Sequence, residues 1–124
     1  MTAMSNTLEL LVLDATLRGQ SLGVTGDIKL ALHTGDPGED GTSNEVTGGD
    51  YARQTATFSA ASSGAIAMSG TVSFTGMPEA TVSHVSLWDS SGTPKCLYKG
   101  ALSASKAVAS GDTYTQSTLT VSLD

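Results

Sequence analysis

IKLALHTGDPGEDGTSNEVTGGDYAR, residues 28–53, is the stretch whose reading decides the fold. It opens on Ile28, Leu30 and Leu32, which alternate with Lys29, Ala31 and His33 at the two-residue period of a half-buried strand. Thr34, Gly35, Asp36, Pro37 and Gly38 break that run, because Gly and Pro punctuate regular structure. An acidic, Gly-rich connection follows and ends at Tyr51, where alternation resumes through Arg53, Gln54 and Ala56. Two strands flanking an elaborated loop at 35–50 is the expectation. The loop carries Asp36, Glu39, Asp40, Glu45 and Asp50 among the chain's 12 acids, so its purpose is the main functional question.

Working outward, the chain continues in the same idiom. Alternating runs are expected over 52–58, 65–69, 71–75, 81–89, 95–101, 106–109 and 113–123, separated by turn-rich segments such as Asp89-Ser-Ser-Gly-Thr-Pro94 and Ser110-Gly-Asp112. The runs at 65–69 and 71–75 are open to being one strand bent at Gly70. A bend is expected at 103–105. In the run at 81–89, Val85 and Leu87 should share one face and His84, Ser86 and Trp88 the other. The 113–123 run places Leu119, Val121 and Leu123 opposite Tyr114. Toward the N-terminus, Leu8, Leu11, Val12 and Ala15 recur at helical spacing, with Leu10, Leu13 and Leu17 widening the stripe. Ser5 or Asn6 is a suitable N-cap, Glu9 stands at capping-box spacing from Asn6, and Gly19 is a suitable stop. The reading is a mainly β chain: an antiparallel β-sandwich of about seven strands, one N-terminal amphipathic helix at about 7–18, and a single domain over 1–124.

Charge and composition narrow the function. Six basic against 12 acidic residues leave a net charge of −6, and the cations are scattered. Nucleic-acid binding needs clustered Lys and Arg, and anionic membranes need a basic face, so neither partner is expected. The 8–17 apolar run is broken by Glu9 and Asp14 and resembles neither a signal peptide nor a membrane span, which points to synthesis in a cytosol-like compartment. Cys96 is the one cysteine, which excludes an intrachain disulfide and fits a small buried hydrophobe.

No coherent chemistry emerges from the motifs. The loop acids do not follow the D-x-D-x-D-G-x5-E calcium pattern, and a solvated acidic loop is expected rather than a metal site. His33 and His84 lack a nucleophile elbow beside them, so no catalytic residue is assigned. Gly35-x-x-Gly38-x-x-Gly41 lacks the Lys-Ser/Thr of a phosphate loop, and no cofactor is expected. Arg53 stands next to the loop acids and should pin the loop through a salt bridge, with Tyr51 beside it as a flat anchor. The residues expected to anchor the loop or meet a neighbouring subunit are therefore Leu8, Leu11, Val12, Asp36, Tyr51 and Arg53. Trp88, Tyr51 and Tyr98 are the candidate stacking platform if the chain were a carbohydrate-binding module.

Three blocks carry a family resemblance: Leu30-Ala-Leu-His-Thr-Gly-Asp-Pro-Gly-Glu39, Glu45-Val-x-Gly-Gly-x-Tyr-Ala-Arg-Gln54 and Tyr98-x-Gly-Ala-Leu102. Together they resemble small virion proteins of tailed phages, variously labelled tail-fibre-like, head fibre or decoration proteins, and the similarity spans nearly the whole chain. The resemblance implies a structural protein on the virion exterior, decorating or projecting from the capsid as a homo-oligomer, with a trimer as one possible symmetry. Its partners would be the major capsid protein, or tail and baseplate proteins if it is a tail accessory. The expected location is the virion, with assembly in the host cytoplasm.

Overall fold

The computed structural model describes residues 3–123; the expected 1–124 domain includes residues 1, 2 and 124, which lie outside the described residues. One helix and nine strands follow in the order β1 (Ala3–Met4), α1 (Asn6–Arg18), β2 (Lys29–His33), β3 (Gln54–Thr55), β4 (Ala65–Ala67), β5 (Val72–Phe74), β6 (Ala80–Trp88), β7 (Cys96–Val108), β8 (Tyr114–Gln116) and β9 (Thr120–Ser122). The fold is mainly β, every pairing is antiparallel, and the single helix is N-terminal, as the alternation implies. Among the described residues no helix is long and apolar enough to cross a membrane.

The main sheet has the order β1-β7-β6-β2-β3, with β4-β9 and β5-β8 as separate pairs. Leu30 pairs with Leu87 and Leu32 with Val85, so these four side chains share one face of the sheet. Val72 and Phe74 of β5, Tyr114 of β8 and Val121 of β9 close over that face with Met77 and Leu119 to make the core. Phe74 sits at its centre, stacked on Tyr51 at 5.9 Å and edge-on to Tyr114 at 6.1 Å. The opposite face carries Ala31, His33, Ser86 and Trp88, as read from the alternation of β6, and there Ala31, Trp88 and Cys96 form a second small cluster.

Several elements depart from the expected pattern. The run at 113–123 is two strands: Tyr114 is buried, yet so are Leu119 and Val121, which an unbroken alternation would put on the opposite face. The backbone slips phase at 117–118, where the Gln116 side-chain Nε2 donates to the Thr118 carbonyl at 2.7 Å. The segments at 65–69 and 71–75 are likewise separate, pairing with β9 and β8 respectively. Strand pairing over 52–58 contracts to Gln54–Thr55, although Ala56 is buried and Phe58 bridges Met68. The bend at 103–105 lies inside β7: Ala101 pairs with His84 and Lys106 with Val82, so Ser83 alone opposes residues 102–105. That wide bulge allows Val82 to rejoin the face of Val85 three residues on.

The helix begins where its cap is best satisfied. Ser5, not Asn6, is the N-cap: its hydroxyl accepts from Leu8 N at 3.1 Å and donates to the Cys96 carbonyl, while Ser5 N donates to Leu97 O at 2.9 Å. One buried side chain thus starts the helix and fastens it to β7. Gly19, at φ 68°, ends it. Ser5→Ala is expected to cost about 2 kcal/mol, from the lost cap and an orphaned buried carbonyl, read as a lower midpoint in urea denaturation.

Candidate functional site

The acidic loop folds back across the Ala31–His33–Ser86–Trp88 face of the sheet and is held there from three directions. At its C-terminal end Glu45 receives both expected anchors. Arg53 donates to it from Nε (2.9 Å to Oε2) and from Nη2 (2.8 Å to Oε1), and the Tyr51 hydroxyl donates to Oε2 at 2.8 Å. The same Tyr51 oxygen accepts from Leu32 N at 3.0 Å, so one phenol ties the loop acid to the central strand β2. Burial alone would raise the Glu45 carboxyl; the hydrogen bonds from Arg53 and Tyr51 outweigh it and hold the group below the usual range. Burial pushes the Tyr51 phenol well up, leaving it a neutral donor. The Arg53 guanidinium lies 3.8 Å over the Trp88 ring, so the fork that holds Glu45 also roofs the small cluster.

The middle of the loop is held by close packing. Gly41 is buried against Cys96 and Trp88, and Asp40 caps the turn by accepting from Thr42 N at 3.0 Å. Burial pushes the Cys96 thiol up to about 12, which suits an unreactive hydrophobe. At the start of the loop, Asp36 accepts from Gly38 N at 2.9 Å and lies 3.2 Å from Lys99 Nζ, with Glu39 3.6 Å from the same ammonium. Pairs this exposed add little stability. The backbone does more: Asn6 N donates to Glu39 O at 3.0 Å, joining the loop directly to the first turn of the helix.

Beneath the loop runs a chain of oriented hydrogen bonds. The Ser43 carbonyl can only accept, so His33 Nδ1, 2.8 Å away, carries the proton. Because burial favours the neutral ring, His33 Nε2 accepts from the Ser86 hydroxyl at 2.7 Å, and that oxygen in turn accepts from Trp88 Nε1 at 2.8 Å. A neutral His33 of defined tautomer is therefore built into the sheet-to-loop contact, and burial lowers its pKa. The acids themselves disperse onto separate partners, and among the described residues no three His, Cys, Asp or Glu side chains converge as metal ligands.

The other expected residues divide. Leu8 is buried within the chain, and Leu11 and Val12 are half-buried beside it. The large apolar side chains that α1 leaves in solvent are Leu10, Leu13 and Leu17, at 65%, 54% and 79% exposure. Of the possible sugar platform, Trp88 is buried under Arg53, and Tyr51 is stacked on Phe74 with its hydroxyl engaged. Tyr98 is half-buried, as is Tyr51, and packs against the core. Lys99 and the His33–Ser86 link were not singled out from sequence, and Gly41 was weighed only as part of a phosphate-loop spacing. Lys99 lies far along the chain from the acids it meets, although the common face of His84, Ser86 and Trp88 was legible.

A family model described as Podophage GP4 fiber I protein gp80 matches residues 3–124, which takes in the helix, the acidic loop and every strand. The chain belongs to that family. No curated protein matches it. As a member of this phage fibre family it is a structural protein of a tailed-phage virion, in agreement with the resemblance carried by the 30–39 and 45–54 blocks. In this family member Tyr51 ties the two blocks together, since its hydroxyl accepts from Leu32 N of the first block and donates to Glu45 of the second, which Arg53 also clamps. Arg53→Ala should cost about 2 kcal/mol, less than a fully buried pair, because Arg53 and Glu45 side chains keep 29% and 22% of their exposure. Faster proteolysis between residues 36 and 50 would accompany it, while an unchanged cleavage rate would show that the loop is held without the clamp.

Proposed function

We propose that this fibre-family protein acts on the virion exterior as a homo-oligomer attached to the capsid or projecting from it, with the major capsid protein as its partner. The observation that carries this reading is the outward leucine ridge of α1 on a chain whose core is already filled without it. A helix that is apolar on two opposite faces is a helix covered on both. The clamp of Tyr51 and Arg53 on Glu45 then serves as the loop's anchor, keeping the 35–50 surface in one shape for contact. The protein works by contact and not by catalysis: His33 is occupied on both ring nitrogens and Cys96 is buried. The net charge of −6 suits neither nucleic acid nor an anionic membrane as a partner. Assembly onto the particle would take place in the host cytoplasm.

Cryo-electron microscopy of the intact particle tests the assignment. Density for this fold repeated over the capsid lattice supports it. Density confined to the tail or baseplate overturns the capsid attachment and makes the protein a tail accessory. Light scattering of the purified chain tests the homo-oligomer, with three-fold symmetry the first to examine.

A further inference from the structure

The ring of His33 is fully buried at the end of β2, with Nδ1 spent on the loop carbonyl of Ser43 and Nε2 on the β6 hydroxyl of Ser86. A second proton on that ring finds no place. An Nε2–H would face the Ser86 oxygen, which already accepts from Trp88 Nε1, and the displaced Ser86 proton meets no further acceptor among the described residues. The surrounding charges do not compensate. His84 pairs with His33 on β6, Arg53 stands behind Glu45, and Lys99 is in register with Ser86 on β7. Glu45, bridged to His33 from the loop, favours a charged ring, but its carboxylate is already shared by Arg53 and Tyr51. Asp36 and Glu39 are exposed and lie on Lys99.

We propose that residues 35–44 are a cover that acid releases, with His33 as its latch and the Ala31–Trp88–Cys96 patch as what it covers. Gly41 of the loop packs directly on Cys96 and Trp88, so lifting the loop bares that patch. Closed, burial keeps the ring neutral. Open, water reaches it and it titrates as an ordinary histidine near 6.5. Closure is therefore favoured in full above 6.5, and progressively less as pH falls toward the lowered closed-state value. The loop yields before the sheet does. Five residue pairs join β2 to β6, whereas 35–44 is held to the body by His33 itself, by the backbone bond from Asn6 N to Glu39 O and by exposed pairs to Lys99. The C-terminal end of the loop stays in place. Burial works against the Glu45 carboxylate, but the bonds from Arg53 and Tyr51 hold it ionised to below 4.5, beneath the range in which His33 begins to titrate. Where this surface meets a virion partner, as proposed above, the contact loosens on acidification; the release itself is a property of the single chain.

The thiol of Cys96, the chain's one cysteine, reads the opening directly because it is buried under the loop. Its rate of reaction with a pyridyl disulfide is divided by the rate for the urea-unfolded chain at the same pH, which cancels thiol ionisation. From about pH 7.5 to about 5, the relative rate should rise by up to about ten-fold per pH unit below 6.5. It should also stay flat in low urea, because a local opening exposes little surface. His33→Gln keeps an amide donor for Ser43 and an acceptor for Ser86 but cannot titrate, so its relative rate should not change with pH. His84→Gln should keep the wild-type rise. A wild-type rate that does not rise overturns the inference, as does a rise that survives in His33→Gln or vanishes in His84→Gln. A rate that climbs with urea along global unfolding overturns it too. None of these outcomes touches the particle assignment, which density on the virion decides separately.

Discussion

Gly41→Val is expected to destabilise the chain by about 4 kcal/mol, combining about 1–2 from the backbone with about 1–3 from overpacking. Gly41 has φ 76°, a region that a β-branched residue rarely enters. A Cβ there would lie 2.7 Å from the Cβ of Cys96 and closer still to its Sγ, with the Trp88 ring 3.1 Å away. The far side offers no relief, because Cys96 and Trp88 belong to the central hairpin of β6 and β7. The loop must therefore lift. Lifting it strains the bond from Asn6 N to Glu39 O, and with it the seating of α1. The expected result is a lower melting temperature by calorimetry, with faster hydrogen exchange over residues 36–46. Cys96→Ala provides the control. By removing the sulfur it should return part of the loss in the double variant, a coupling that a purely backbone effect would not show.

How much of this was legible in the sequence depends on the range of the interaction. Strand periodicity, the helix and its Gly19 stop depend on neighbours within a few residues, and alternation alone located β2 and β6 and assigned their faces. The phase slip at 117–118 was invisible because Thr and Ser sit equally well on a buried or an exposed face, so nothing in the 113–123 run marks which parity holds. Ser5 displaced Asn6 as the N-cap because the Cys96 carbonyl, 91 residues away, also needed a donor. At the loop, the closeness of Arg53 to five acids suggested an ion pair, but which acid it meets, Glu45, and the Tyr51 hydroxyl's bond to the same carboxylate come from the structure. The packing of Gly41 on Cys96 and the hydrogen bonds of His33 to Ser43 and Ser86 depend on strand register, which sequence does not supply. The helix shows the same limit from the other side. Its periodicity defined an apolar stripe, but only the docked structure separates the inward Leu8 from the outward Leu10, Leu13 and Leu17.

The pH dependence of stability provides the sharpest test of the sheet-to-loop contact. His33 is fully buried, and burial lowers its pKa; Glu45 opposes that shift, while Arg53 and His84 reinforce it. The unfolded chain therefore takes up a proton below about 6.5 that the folded chain refuses, so stability falls as pH drops through 6.5 toward the lowered folded value. The slope should approach, at most, about 1.4 kcal/mol per pH unit. The carboxylates do not confuse this window. Asp36, Asp40 and Glu45 have lowered pKa values, and Asp89, where the Lys95 hydrogen bonds outweigh burial, is held at about 2. Their contributions are lost only as pH falls below the ordinary carboxylate values, near 3.8 for Asp and 4.5 for Glu. His33→Leu separates the two effects. At pH 7.5 it should cost about 3 kcal/mol, because the Ser43 carbonyl and the Ser86 hydroxyl each lose a buried partner. Between pH 6.5 and 5 the variant should show almost none of the wild-type slope, so the two stability curves converge on acidification. Urea denaturation at half-unit pH steps, with hydrogen exchange followed over residues 34–46, reads both quantities. Parallel curves for the two proteins would show that His33 carries no part of the pH dependence.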